Sequence, residues 1–399
     1  MMEPIMITGV GIVSAIGNNQ AETLQSLLSQ QTGVGPMAYL KTSHREFPVG
    51  EVKMSDEQMK AMLGISGEPV TRTSLLGMLA LRQAIDDAGL TADLLPTAAL
   101  VSATTVGGMD KSEQYYLDIL DANTHHEYIR THDCGATTDT IARHFGRFSM
   151  VTTVSTACSS AANAMILGAN LIRSRLTDMA VVGGAECLTK YHLNGFNTLM
   201  ILDQEQCKPF DARRAGLNLG EGAAYLVLES AASARSRLGR LAQSYTLSGY
   251  GNACDAFHQT ASTPDGEGAF LAMNKALSMA GLQPSDIDYV NAHGTGTPVN
   301  DLSESQALRR VFGSQLPPVS STKGLTGHTT SASGAVEAVI SLLALSHQFL
   351  PANYGWSEPM ENGITPVPMV VRDVVLHHVM CNSFGFGGND SSLVFSRYE

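Results

Sequence analysis

Cysteine is scarce in this chain: six in 399 residues, with no paired spacing. That usage argues against a disulfide framework and fits free thiols in a reducing cytosol. No uninterrupted apolar run reaches the ~20 residues that a membrane-spanning helix needs. The N-terminus reads MMEPIMITGVGIVSAIGN, with Glu3 and no basic start, so no signal peptide is expected. Together these absences point to a cytoplasmic protein. Basic residues are also few, 25 against 37 acidic, for a net charge of −12. Such a balance argues against nucleic acid as the main partner, and an acidic protein partner would need a local basic patch. Low-complexity linkers, a Walker A loop, a G-x-S-x-G elbow and a Cys/His cluster with zinc spacing are all missing, and no metal is expected. GVGIVSAIG imitates a dinucleotide fingerprint, but Ser14 stands where the third Gly should be. FGFGG lacks a following helix, so neither passes the context test.

What is present is a large apolar fraction, 44% hydrophobic against 16% charged, enough for a soluble globular body with a sizeable core. The chain also repeats itself. LALRQAIDDAGLTADLLPTAALVSATTVGG (79–108) and LAMNKALSMAGLQPSDIDYVNAHGTG (271–296) each read as an amphipathic helix ending in Ala-Gly-Leu, a linker, an apolar strand and a Gly-rich turn. A later block recurs in the same order: VSTACSSAANAMILGANLI in the first half, VSSTKGLTGHTTSASGAVEAVISLLAL in the second. Strands alternating with helices predict an α/β layered fold. MAVVGGAE (179–186) and AAYLVLE (223–229) are apolar enough for a covered sheet. The halves divide near residue 240, as 1–240 and 241–399. Extra residues in the first half fall within 109–150, as a cap or subunit contact.

Cys158 lies between RFSMVTTVSTA, read as a strand, and SSAANAMILGANLIRSR, read as a helix. A thiol at a helix N-terminus faces free N–H groups with partial positive charge, which favours thiolate. A helix end worth about 1.4 kcal/mol would raise ionisation at pH 7 from roughly 3% to roughly a quarter. Strong activation therefore needs a further partner. The same N–H groups suit an oxyanion formed on a thioester carbonyl. An isolated Cys is most often an inert core residue, so companions decide the matter.

Those companions come from three segments. NAHGTGTPVND (291–301) sets His293 at a strand end before a Gly-rich turn. STKGLTGHTTSASGAVEAV (321–339) sets Lys323 in a loop and His328 at a helix start. Strand ends and helix starts are where α/β folds gather ligands. CNSFGFGGND (381–390) reads as a mobile Gly-rich loop between the strands VVLHHVM and SSLVFS, presenting Phe384 and Phe386.

With these motifs in view, the chain resembles the β-ketoacyl-acyl-carrier-protein synthases, specifically the two-histidine condensing enzymes of type II synthesis. The likeness runs nearly end to end, through ITGVGIVSAIGN, TACSS, PFDARRAGLNLGEGAA, NAHGTGTPVND, STKGLTGHTTSASGAVEA and NSFGFGGND. It implies a thiolase-like αβαβα fold built from two pseudo-repeated halves. It also implies acyltransfer without a resident cofactor, on substrates carried by the phosphopantetheine of acyl carrier protein. The partners implied are that carrier and a second subunit, either a copy or a chain-length-factor-like paralogue. By resemblance Cys158 is the nucleophile, and His293 and His328 bind the malonyl thioester and stabilise its enolate. Lys323 stands behind His328, and Glu337 is its supporting carboxylate. Thr295 and Thr297 meet the phosphopantetheine arm. Phe386 is the gate, and its N–H joins that of Cys158 in the oxyanion hole.

Departures from the family pattern are also legible. GFGGND replaces the common GFGGTN, putting Asn389 for Thr and Asp390 for Asn, and GHTTSASG replaces the GHxxGAAG form. They point toward specialised assembly, such as aryl-polyene or polyketide synthesis, as well as fatty acid synthesis. Cys381 lies where some relatives have a Ser near a monovalent cation, and that ion is not carried over. MILDQEQCK holds one basic residue, Lys208, where relatives often place carrier-docking Arg or Lys; Arg213 and Arg214 are the candidates. A thiolase would need a second catalytic Cys, for which Cys381 is the candidate, whereas NAHGTG and STKG with GH belong to the condensing set. A chain-length factor would lack the nucleophile that Cys158 supplies.

Overall fold

The computed structural model describes residues 3–398 except 123, 240, 242 and 243, so the boundary expected at residue 240 lies outside the described residues. Among the described residues, ten strands form the main mixed sheet: β1 (Ile5–Ser14), β2 (Ala98–Ala103), β3 (Met150–Val154), β4 (Met179–Glu186), β5 (Gly222–Ser230), β6 (Tyr245–Cys254), β7 (Tyr289–Asn291), β8 (Val319–Ser320), β9 (His378–Gly385) and β10 (Asn389–Arg397). From the middle outward, the first five run β1-β5-β4-β2-β3 and the second five run β6-β10-β9-β7-β8. Each half therefore has the same order, with the same antiparallel and parallel pairings in the same places. Among the described residues, the two five-strand units pair in the sheet through Met6 opposite Thr246 and Ile7 opposite Tyr245.

Helices complete the layers. α1 (Arg72–Asp87) and α2 (Cys134–Phe145) cover the outer face of the first unit. α3 (Ser160–Arg173) and α4 (Ser333–His347) pack on each other and against strands of both units, filling the middle with alanine and branched aliphatic side chains. α5 (Glu267–Ala280) and α6 (Pro298–Phe312) cover the outer face of the second unit. The result is a five-layered αβαβα fold with its largest core around α3 and α4. The helix stops read from sequence hold: Gly89 and Gly281 are left-handed, at φ 63° and 69°.

The glycines of the false fingerprint have a packing role. A Cβ on Gly9 or Gly11 would lie 2.5 Å and 2.0 Å from carbonyl oxygens of Ala84 and Ala80 in α1. In the second half, a Cβ on Gly249 or Gly251 would lie 2.2 Å from Ala276 O and Ala272 O in α5. Missing side chains let each outer helix press its backbone onto its strand. This pair of G-x-G words is a repeat signal that the helix and linker comparison overlooked.

Several local expectations change. The strand around 147–157 shortens to β3. Residues 381–390 form no long loop: β9 runs through Gly385 and β10 starts at Asn389, leaving only Phe386–Gly388 as a tight turn. Main-chain pairing of Cys381–Gly385 with Asn389–Leu393 outweighs the flexibility that the glycines suggested. Lys323 opens a short helical turn, Lys323–Thr326, and His328 precedes α4 by five residues.

Candidate active site

Cys158 lies two residues ahead of α3. Ala157 before it takes φ 52°, a conformation that non-glycine residues seldom adopt, and so turns the chain sharply from β3 toward the helix. The sulfur is buried, 3.1 Å from His328 Nε2, and near enough to the Phe386 backbone N–H for that group to pull its pKa down. Burial pushes the thiol up to about 12, against the lowering pull of Lys323 and that N–H. Read from sequence, a helix start raises the ionised fraction to roughly a quarter; burial moves the group the other way.

His293 follows β7 by two residues, and its ring meets that of His328 edge-on, with centroids 5.3 Å apart. Glu304 on α6 fixes this turn by accepting from the N–H groups of His293 at 2.9 Å and Gly294 at 2.7 Å. Lys323 Nζ lies 3.4 Å from His293 Nδ1, bonds to the His293 carbonyl at 2.5 Å and pairs with Glu337. An ammonium facing Nδ1 requires a lone pair there, so the proton resides on Nε2. His328 Nδ1 lies 3.0 Å from the Ser333 hydroxyl, which can donate or accept and so suits either tautomer. Burial first, then the charge on Lys323, holds both imidazoles well below the usual histidine range and keeps them neutral. Burial raises the Glu337 carboxyl to about 7 against the pull of Lys323.

The donor atoms of Cys158, His293 and His328 all lie within 4.8 Å of one another. They are of the type that zinc takes, but the Lys323 ammonium beside His293 opposes a divalent cation there. Lys323 touches His293 directly and reaches His328 only through its field, so "behind His328" becomes "against His293".

Two cavities meet at the sulfur. One, of about 360 Å³, contains both histidines and is lined by Thr295 and Thr297, whose hydroxyls lie 2.8 Å apart. The other, of about 560 Å³, runs toward helix Lys190–Thr198. Cys158, Phe196 and Phe386 line both, with the two phenyl rings stacked 5.7 Å apart at 22°. Phe384 does not ride on a loop; it is buried in β9, 5.8 Å from the His293 ring, and forms part of the first cavity's wall.

Asn389 explains how the Phe386 turn is held. Its Oδ1 accepts from Ser159 Oγ at 2.8 Å, Asn163 Nδ2 at 2.8 Å and Asn252 Nδ2 at 2.9 Å. The turn is thereby tied to the N-cap of the nucleophile helix. Its neighbour Asp390 is pushed up to about 8, first by burial and then by Asp255 and Glu304. Cys381 belongs to the central core and lines neither cavity. Of the docking candidates, Arg213 is exposed, whereas Arg214 is consumed by the carbonyls of Asp211 and Pro298. Glu304, Ser333, Phe196 and the anchoring role of Asn389 were missed in sequence; only long-range packing makes them part of the site.

The family descriptions "Beta-ketoacyl synthase, N-terminal domain" and "Beta-ketoacyl synthase, C-terminal domain" match residues 2–234 and 245–356. The 3-oxoacyl-[acyl-carrier-protein] synthase 2 of Staphylococcus aureus (strain COL) is 30% identical, covering 99% of this chain and 98% of that protein. The ishigamide ketosynthase/chain length factor superposes with a TM-score of 0.92 at 31% identity, covering all of both chains. The ketosynthase ApeO in complex with its chain length factor ApeC, from Xenorhabdus doucetiae, gives 0.86 at 32% identity, over 99% and 98% of the chains.

Proposed function

The chain belongs to the β-ketoacyl synthase family, and on that premise we propose that it is an active ketosynthase. The reaction we assign is decarboxylative condensation of malonyl-acyl carrier protein with an acyl group stored on Cys158. The observation that carries this reading is the sulfur at 3.1 Å from His328 Nε2, with His293 beside it, at the junction of two cavities.

In the first step the Cys158 proton passes to His328 Nε2 as sulfur attacks the acyl thioester. The Cys158–acyl bond forms, the bond to the pantetheine sulfur breaks, and the departing thiol takes the proton. Coupling proton transfer to attack suits a thiol whose own ionisation is opposed by burial. The N–H groups of Cys158 and Phe386 are the donors we assign to the tetrahedral oxyanion. In the second step the malonyl C–C bond breaks, releasing CO2, and the electron pair moves into an enolate oxygen. Nε2–H of His293 would hold that oxygen, joined by Nε2–H of His328 once that ring has exchanged its proton through solvent to the other tautomer, which the Ser333 hydroxyl accommodates, and neutral rings in a dry pocket suit the task. The enolate carbon then attacks the acyl carbonyl, the Cys158–acyl bond breaks, and the departing thiolate takes one proton from solvent, which balances the negative charge that the malonyl carboxylate brought.

Thr295 and Thr297 would receive the phosphopantetheine arm, so the reaction needs no resident cofactor. We take 1–240 and 241–399 as the two halves, with 109–150 as the cap. An acyl carrier protein is the expected partner, with a second subunit over the free edge of β3, where Met150 and Val151 are exposed; Tyr116, Leu117 and Leu120 of the cap are exposed as well. Among the described residues no helix is long and apolar enough to cross a membrane. With six free cysteines, the cytoplasm is the location we assign.

The test is Cys158→Ala. Condensation measured by intact mass of carrier-bound product should vanish, while CO2 release from malonyl-carrier protein should persist. Full condensation by this variant would remove Cys158 from its role.

A further inference from the structure

Resting on the ketosynthase reading, we propose that the larger cavity selects acyl chains that still carry a hydrogen-bonding oxygen, with His192 as the selecting residue. The acyl carrier would thus deliver hydroxy- or keto-acyl groups in preference to fully reduced hydrocarbon chains.

The argument begins with the wall chemistry. A cavity made for an alkyl chain is lined with branched aliphatic side chains. Here the wall beyond Cys158 offers the rings of Tyr191, His192, Phe196 and Phe386, with Leu199 as its large aliphatic residue. Its threonines are already engaged. Thr105 and Thr330 both donate to the buried Glu186, and Thr198 donates to the Asn194 carbonyl. Glu186 itself is saturated, taking Thr104 Oγ1 at 2.6 Å and the Thr105 N–H at 3.0 Å in addition.

His192 is different. It is 8% exposed, in the first turn of the Lys190–Thr198 helix. Its ring makes edge-on and tilted contacts with Phe196 and Tyr191, at 5.8 Å and 5.9 Å between centroids. Its Nε2 lies 3.9 Å from the Glu186 carboxylate, beyond hydrogen-bond range. Burial also holds its pKa below the usual histidine value, against the pull of Glu186. A neutral imidazole therefore lines the acyl cavity with unused hydrogen-bonding capacity. An alkyl chain would cover it and leave it unpaired, whereas a hydroxyl serves either tautomer and a keto oxygen accepts from N–H. Sites built around such a group reject the analogue that lacks the matching oxygen far better than they reject a missing methylene. In reaction order, the inference places this enzyme where an earlier condensation has left oxygen on the chain without complete reduction.

The full-length chain, purified with any subunit that accompanies it, should be offered eight-carbon N-acetylcysteamine thioesters. The set is octanoyl together with its 3-, 5- and 7-hydroxy and 3-, 5- and 7-keto analogues. Acylation of Cys158 is followed by intact mass. At least one oxygenated chain should load about ten-fold or more faster than octanoyl. His192→Leu should bring that ratio to near one, with oxygenated chains loading more slowly and octanoyl faster. His192→Gln, which keeps a donor and an acceptor, should retain part of the preference and guards against a folding defect in the Leu variant. Octanoyl loading at least as fast as every oxygenated chain in the unmodified protein would overturn the proposal. A preference that survives His192→Leu unchanged would do the same. Absence of any adduct with all seven thioesters would instead strike the ketosynthase reading beneath it.

Discussion

Replacing Asn389 with Ala should separate the two chemical steps. The substitution deletes one oxygen that accepts from Ser159, Asn163 and Asn252. Its orientation follows from the network, because the reverse amide would face two other NH2 groups. No donor is left stranded. Ser159 keeps the Thr156 carbonyl at 2.8 Å, Asn163 keeps Thr156 Oγ1 at 2.9 Å, and Asn252 keeps Ser391 Oγ at 3.0 Å. Each lost bond therefore costs about 1 kcal/mol, not a full desolvation penalty, and the stability loss should be about 2–3 kcal/mol. The catalytic effect is more selective. With the tether to Ser159 gone, the Phe386 N–H no longer has a fixed position over the sulfur. Complete loss of an oxyanion donor costs roughly 10²–10³ in rate, so a loosened one should slow acylation about 10–100-fold. Malonyl decarboxylation relies on His293 and His328 and should change less than about three-fold on the same grounds. Single-turnover acylation, CO2 release and a urea midpoint measure the three quantities. Equal losses in both steps, or acylation at the original rate in a destabilised protein, would refute the reasoning. Asn389→Thr retains one acceptor and should fall between.

Other expectations follow from buried charge and close packing. Lys323→Met leaves Glu337 unpaired and should destabilise by about 3–5 kcal/mol, partly restored by adding Glu337→Gln. The same change removes the cation that depresses His293 and His328, so their pKa values rise and the acid limb of the decarboxylation profile moves to higher pH. Asp390 sits at about 8, above its unfolded value, so the folded state holds its proton longer and this group makes stability fall as pH rises from about 4 to 8. Asp390→Asn should flatten that fall, stabilising progressively more as pH rises toward 8 and changing little at pH 4, in paired urea melts. A steeper fall in the Asn variant would contradict the assignment. Gly251→Ala drives a methyl to 2.2 Å from the Ala272 carbonyl and should cost about 1–3 kcal/mol, as should Gly11→Ala against α1. Neutral substitution at either site would deny the helix–strand contact.

Much of this protein was determined by its sequence alone. Period, punctuation and a recurring Ala-Gly-Leu word marked a duplicated α/β unit, because helix stops and apolar strands are local signals. Cys158, His293 and His328 could be named because each lies in a short motif at the end of a strand or the start of a helix, Lys323 because it shares a motif with His328, and Glu337 through the family resemblance alone. Tertiary structure decided the rest, since those features depend on residues far apart in the chain. Enclosure of the sulfur by both halves raised its pKa, where a helix start alone would have lowered it. Pairing of β9 with β10 turned a Gly-rich stretch into a three-residue turn. The roles of Asn389, Glu304 and His192 exist only because folding brings their partners within a few ångströms, and no local pattern records that encounter.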